Sequence, residues 1–213
     1  INSEVPTFIA QLANNANIAF IHFSTDAVFS GKNSPYREDD PPSPISNYGI
    51  TKLEGEKGVL RENPKALVLR TNFFGYSFKR PSLLNYFYQN IKLARPCDGY
   101  SDVVFSPIYV KDLCDATFAL LRESCSGLFH VVGSESLTKF EFGRRLAVAM
   151  RAHESIVVAT KRPRGGSNDV RSFDLRLDNN KMKLFFSPKY SIEDGILDSL
   201  TEAKREQGDD FKH

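Results

Sequence analysis

Apolar positions recur along the chain in two rhythms. Over Thr7 to Asn14, Phe8, Ile9 and Leu12 fall on one face at helical spacing, with Pro6 suited to a first turn. Elsewhere the runs are short and unbroken. Ile18 to Phe23 is apolar and closes on Ser24-Thr25-Asp26, then Val28-Phe29-Ser30-Gly31; Ala66 to Thr71 closes on Asn72; Gly127 to Gly133 is a third run. Residues of β-branched and aromatic type ended by small polar ones predict buried strands running into loops. Helical spacing returns from Tyr48 to about Glu62, over Leu83 to Ala94, through Ala116, Leu120 and Leu121, and up to Met150. Asn47 is the expected cap of the first of these, and Ser136 or Thr138 of the last. The stripe Leu84, Phe87, Tyr88 and Ile91 reads as core packing. The stretch 24–46 carries Pro35, Pro41, Pro42 and Pro44, which exclude helix. Its acidic run, Glu38-Asp39-Asp40, reads as solvated surface. The tail from Thr201 to His213 reads as a frayed helix or disorder.

Chemistry enters at Asn47-Tyr48-Gly49-Ile50-Thr51-Lys52. A spacing of four puts Tyr48 and Lys52 one turn apart on one helical face. An ammonium beside a phenol is expected to lower its pKa, and a phenol so tuned exchanges a proton with a carbonyl oxygen that receives hydride. On spacing alone, an exposed helix face explains the pair as well. Ser24 and Thr25 stand at the carboxyl end of a predicted strand, where open α/β sheets bind ligands. The helix carrying the pair also holds Gly49, Gly55 and Gly58. Each costs up to about 1 kcal/mol in a helix interior, which points to close backbone packing against a sheet or another subunit.

Composition narrows the classes. A chain of 213 residues, 41% hydrophobic and with net charge +2, is ordinary for a globular protein. It has no long basic run for nucleic acid and no apolar run able to span a bilayer. Cys97, Cys114 and Cys125 form no CxxC pair and read as reduced thiols of a cytoplasmic protein; no metal site is expected. His22 and His130 lie in apolar runs and read as core or loop-end residues.

The ordered set Phe23-Ser24-Thr25-Asp26-Ala27-Val28-Phe29-Ser30-Gly31, Pro35-Tyr36-Arg37-Glu38-Asp39-Asp40, Pro44, Tyr48-Gly49-Ile50-Thr51-Lys52 and Glu54-Gly55-Glu56 resembles the extended short-chain dehydrogenase/reductases, in the dTDP-4-dehydrorhamnose reductase branch. The resemblance implies an α/β Rossmann-type parallel sheet with a smaller carboxyl-terminal substrate lobe. Residues 1–75 would belong to the dinucleotide-binding part and 76–213 mainly to the lobe, with 103–133 returning to the sheet. It implies a catalytic set of Thr25 (or Ser24), Tyr48 and Lys52, and cofactor contacts at Tyr48, Lys52, Phe23, Ser24 and Asn72. Substrate contacts would fall at Asp26, Phe29, Asn72 and Arg171. The cofactor would be NADP or NAD, with NADPH favoured, and the substrate a nucleotide-diphosphate sugar with a 4-keto group. Asp112 would be a structural residue at a helix start. Arg171, Leu177, Asp178 and Lys181 match a late family pattern in which Ser172 replaces a proline. Lys161, Arg162, Arg164, Arg171 and Arg176 form a basic set suited to a pyrophosphate.

The family's glycine-rich turn for the pyrophosphate is not found in the sequence. The chain thus resembles the carboxyl-terminal part of such an enzyme. An upstream segment, a homodimer or another partner is expected to cover the remaining sheet edge. Two other readings stay open: an epimerase or dehydratase of the same superfamily, and a non-catalytic regulatory subunit of the kind that binds methionine adenosyltransferase.

Overall fold

The computed structural model of the chain describes residues 1–77, 81–163 and 172–207. Helices are α1 (Glu4–Asn15), α2 (Asn47–Glu62), α3 (Leu83–Lys92), α4 (Val110–Arg122), α5 (Lys139–Ala149), α6 (Asn180–Lys183) and α7 (Ile192–Gln207). Strands are β1 (Ile21–Thr25), β2 (Leu67–Thr71), β3 (Phe73–Phe74), β4 (Cys97–Tyr100), β5 (Val104–Phe105), β6 (Ile108–Tyr109), β7 (Gly127–His130), β8 (Leu137–Thr138) and β9 (Val157–Thr160). The fold is α/β and Rossmann-like. β1, β2 and β7 form a parallel sheet in that order, with Ile21 opposite Leu67 and Leu67 opposite Gly127. β2 is central and buried at all five positions, as its unbroken apolar run requires. Two short parallel pairs, β3 with β6 and β4 with β9, and an antiparallel pair, β5 with β8, carry the chain beyond the sheet.

Two cores hold these parts. Leu67, Leu69, Ile108, Leu113, Ala116, Leu120, Phe129, Val131 and Met182 pack around the sheet. A second core joins α3, α5 and α7 through Leu84, Phe87, Phe142, Leu146, Ile196 and Leu200. The predicted stripe on α3 lies here, as packing. So does the start of the tail, because α7 continues to Gln207 with Ala203 fully buried.

Several element boundaries differ from the sequence reading, each for a local reason. α1 starts at Glu4, and its shared apolar face, Phe8, Ile9 and Leu12, is exposed. Ser46 caps α2 instead of Asn47, its side chain accepting from the Gly49 amide. Of the two candidate caps of α5, Thr138 is used, in a capping box with Glu141; Ser136 instead bonds Ser106 at 2.8 Å. β7 ends at His130 because the Val132 and Gly133 carbonyls accept from the Asn179 side chain. Asp112 is wholly buried in the first turn of α4 and accepts from the Lys189 and Tyr190 amides, a structural role. Within the acidic run, Glu38 is not free surface: its carboxylate accepts from the His130 amide at 2.9 Å and ties the proline-rich loop to the end of β7.

Candidate active site

The carboxyl ends of β1 and β2 bring four predicted residues together. Thr25 ends β1 beside Thr71, and Asn72 follows β2. Asn72 Nδ2 donates to Asp26 Oδ2 at 2.6 Å, and the Thr25 hydroxyl donates to Asp26 Oδ1 at 3.1 Å while accepting from the Ala27 amide. Across from them stands Tyr48, in the first turn of α2, its phenol near enough to Thr25 and Asp26 to be influenced by both. Lys52 follows one turn later, and its ammonium donates to the Phe23 carbonyl at 2.5 Å. The glycines of α2 explain how the helix comes so near. A Cβ on Gly49 would lie 2.2 Å from the Ala27 carbonyl oxygen, one on Gly55 2.3 Å from that of Asn2, and one on Gly58 2.0 Å from the Thr7 hydroxyl. The predicted close packing is therefore against α1 and the residue stretch before it, the turn after β1, and His22 on β1 itself.

The electrostatics correct one expectation. Lys52 does not lower the Tyr48 phenol. Desolvation raises it, the Thr25 hydroxyl pulls it down, and the Asp26 carboxylate pushes it up. Burial lowers Lys52, opposed by the charge of Glu56. Burial raises Asp26, opposed first by Asn72. The result is a phenol that holds its proton, one hydroxyl and one side-chain amide on a single carboxylate, and an ammonium on the flank.

Similarity to known proteins gives this arrangement its context. The family model described as the RmlD substrate binding domain matches residues 1–204. The chain belongs to this family. Among relatives, a protein named probable low-salt glycan biosynthesis reductase from Haloferax volcanii is 30% identical over 74% of this chain and 54% of its own length. Methionine adenosyltransferase 2 subunit beta from Danio rerio is 33% identical over 90% of this chain and 62% of its own length. The chain thus spans little more than half the length of these relatives. The dTDP-4-dehydrorhamnose reductase of Bacillus anthracis, solved with NADP, superposes with a TM-score of 0.85 at 24% identity, covering 95% of this chain and 72% of that one. A hypothetical dTDP-4-dehydrorhamnose reductase from Sulfolobus tokodaii superposes at 0.79 with 28% identity, covering 92% and 69%.

Against the RmlD pattern, the remaining predicted residues fall as follows. Ser24 faces away from Thr25, as alternation along a strand requires. It is buried, and its hydroxyl donates to the Glu56 carboxylate, so of the two hydroxyls it is Thr25 that reaches Tyr48. Phe29 is not placed for substrate contact. It is fully buried, stacked on Tyr36 at 4.1 Å with the Arg70 guanidinium over its ring. The Phe23 side chain, midway along β1, is 46% exposed, and Phe73, next to Asn72, is 56% exposed. Arg171 and Arg164 lie outside the described residues. Arg162 and Arg176 are engaged within the protein, the first with the Ser172 carbonyl and the second with Asp174. Ser172, at the expected proline, donates to the buried Phe29 carbonyl at 2.8 Å.

Three residues of this region were not among the predicted site residues. Glu56 and Arg70 form a buried bidentate pair, Nε to Oε1 at 2.9 Å and Nη2 to Oε2 at 2.7 Å, behind Ser24. Arg70 also meets His130 Nε2 at 3.5 Å. Lys139, at the start of α5, faces Asp26 from the other core. The charge of Arg70 inside an apolar run was a signal for it, and Glu56 stood in the resembling set Glu54-Gly55-Glu56; nothing in local pattern pointed to Lys139.

Proposed function

We propose that the protein is an NAD(P)H-dependent reductase of a nucleotide-linked 4-keto-deoxysugar, of the dTDP-4-dehydrorhamnose type, with Thr25, Tyr48 and Lys52 as its catalytic set. The observation that carries this reading is the tight seating of the first turn of α2, which bears Tyr48, on the turn after Thr25, with Lys52 one turn along α2 bonded to β1, in a chain of the RmlD family. Residues 1–75 with 103–133 are assigned to the dinucleotide-binding part and the rest mainly to the substrate lobe.

The residues present suit one end of a nicotinamide cofactor. Lys52 uses one donor on Phe23 and keeps two for ribose hydroxyls. The exposed Phe73 offers apolar surface for a flat ring, and its neighbour Asn72 an amide. When bound, the cofactor supplies hydride. The chain's own groups handle the oxygen. Tyr48, kept protonated, donates its proton to the oxygen that gains negative charge. Thr25 has one hydroxyl proton, given to Asp26 in the free site. Asn72 supports that carboxylate at 2.6 Å, so Thr25 can turn its proton to the substrate oxygen without leaving Asp26 unpaired. NADPH is the favoured reductant, and the free cysteines support a cytoplasmic setting.

The test is an assay of the full-length gene product with dTDP-4-dehydrorhamnose, following NADPH oxidation, alongside Tyr48→Phe. Turnover that the variant loses supports the reading; no turnover overturns it. The kinship to methionine adenosyltransferase 2 subunit beta favours a second reading, a non-catalytic subunit. Cofactor binding without turnover, together with a stable hetero-complex, would establish it.

A further inference from the structure

The groups described so far come from β1, β2 and α2. One more charged group meets them from the opposite side. Lys139 opens α5, and its ammonium lies 3.1 Å from the centroid of the Phe105 ring. It is also within electrostatic reach of Asp26. For stability alone this is a poor place for a cation. The first turn of a helix is its positive end, where cations are disfavoured. The ammonium is partly buried and has no hydrogen-bond or ion-pair partner among the described residues, though it carries three donors. The Phe105 ring face attracts the charge, yet it supplies no oxygen acceptor for donors that have lost water. Burial pulls the group down to about 8, with the Asp26 charge opposing.

The same residue is nevertheless firmly aimed. Register between β5 and β8 sets Phe105 opposite Leu137. The Thr138 capping box fixes the first turn, and the Lys139 amide donates to the Val103 carbonyl at 3.1 Å. A cation on a fixed helix start, seated on the Phe105 ring with hydrogen-bond donors unused and within electrostatic reach of a carboxylate that touches Thr25 and Asn72, is an arrangement completed by a ligand.

We propose that Lys139 is a substrate-binding residue of this site, donating to a hydroxyl or keto oxygen of a sugar ring that Asp26 contacts from the other side. This rests on the reductase reading above. The pairing of charges selects the ligand class. A hydroxylated ring is donor and acceptor at once, so it satisfies both Lys139 and Asp26. A phosphate would be drawn to Lys139 but repelled by Asp26. The proposal therefore assigns Lys139 to the sugar and not to the diphosphate.

The test titrates dTDP-rhamnose, and separately dTDP, into the full-length protein saturated with NADP, using wild type, Lys139→Met and Lys139→Gln. Methionine keeps an apolar stem on Phe105; glutamine keeps a neutral donor. Lys139→Met is expected to weaken dTDP-rhamnose binding roughly 10- to 100-fold, the range for losing a charged hydrogen bond. Binding of dTDP should be unchanged, and Lys139→Gln should lose less. Thermal melting of each variant, expected at or above wild type, shows that folding is intact; if one variant fails to fold, the other carries the comparison. Equal loss for dTDP and dTDP-rhamnose, or no loss for either, overturns the inference alone when wild type turns over the ketosugar. Wild type that neither binds dTDP-rhamnose nor turns over the ketosugar overturns the reductase reading, and this inference with it.

Discussion

Two adjacent hydroxyls at the end of β1 have different surroundings. Thr25 meets Tyr48 and Asp26, while Ser24 lies against the buried Glu56–Arg70 pair. Their roles can be separated by substitution. Tyr48→Phe removes only the phenolic oxygen from a half-exposed side chain, so stability should hardly change. Steady-state turnover should fall by about 10²- to 10⁴-fold, the usual worth of a general acid. A variant with near-normal turnover would exclude Tyr48 as the proton donor. Glu56→Gln should behave oppositely. It leaves the Arg70 guanidinium buried without its countercharge and should cost about 3–5 kcal/mol in urea unfolding. Loss below about 1 kcal/mol would place Arg70 in contact with water. Tyr48 and Lys52 were legible from spacing and from resemblance. The direction in which Lys52 acts was not, because sequence says nothing of the Phe23 carbonyl that holds its ammonium.

At the scale of elements, α2 shows how much a local pattern can convey. Three glycines in sixteen residues weaken a helix, and the sequence reading took them as a sign of close packing. That packing is observed, and its partners are α1 and the residues before it, the turn after β1, and His22 on β1 of the sheet. Gly49→Ala should raise helix propensity yet destabilise the protein. The new methyl group would lie 2.2 Å from the Ala27 carbonyl oxygen, a backbone atom that cannot rotate aside. A net loss of about 1–3 kcal/mol is expected, as for overpacking elsewhere, and activity should fall with it because α2 carries Tyr48 away from Thr25. Measured stability equal to or above wild type would show that the turn yields freely. The strands and long helices were legible because period and burial agree over many residues. The caps and strand ends were not, since Ser46, Thr138 and Asn179 were selected by contacts that the local sequence leaves undetermined.

The whole molecule is joined by buried polar contacts that link its most distant segments. His130 shows what such a contact implies for stability. Its Nδ1 lies 3.1 Å from the Tyr36 carbonyl and its Nε2 3.5 Å from Arg70. A carbonyl only accepts and a guanidinium only donates, so both contacts are satisfied by a neutral ring with its proton on Nδ1. A second proton would face the Arg70 charge in the interior. Burial first, and then Arg70, lowers His130 to about 3; burial and then Lys52 lower His22 to about 4. Each pKa lies below its unfolded value of 6.5. The unfolded chain therefore binds these protons first as pH falls, and stability declines from about pH 6.5 down to each folded value. Raised Asp26 works in the opposite sense, since its folded form takes up a proton before the unfolded one. The contribution of His130 is isolated by comparing wild type with His130→Asn, in which all other groups remain. Wild type should lose on the order of 3 kcal/mol more than the variant between pH 6.5 and pH 4. Urea midpoints measured across that window give the difference directly. Parallel curves would mean that His130 is charged in the folded protein, and that Arg70 and Tyr36 do not hold it as described.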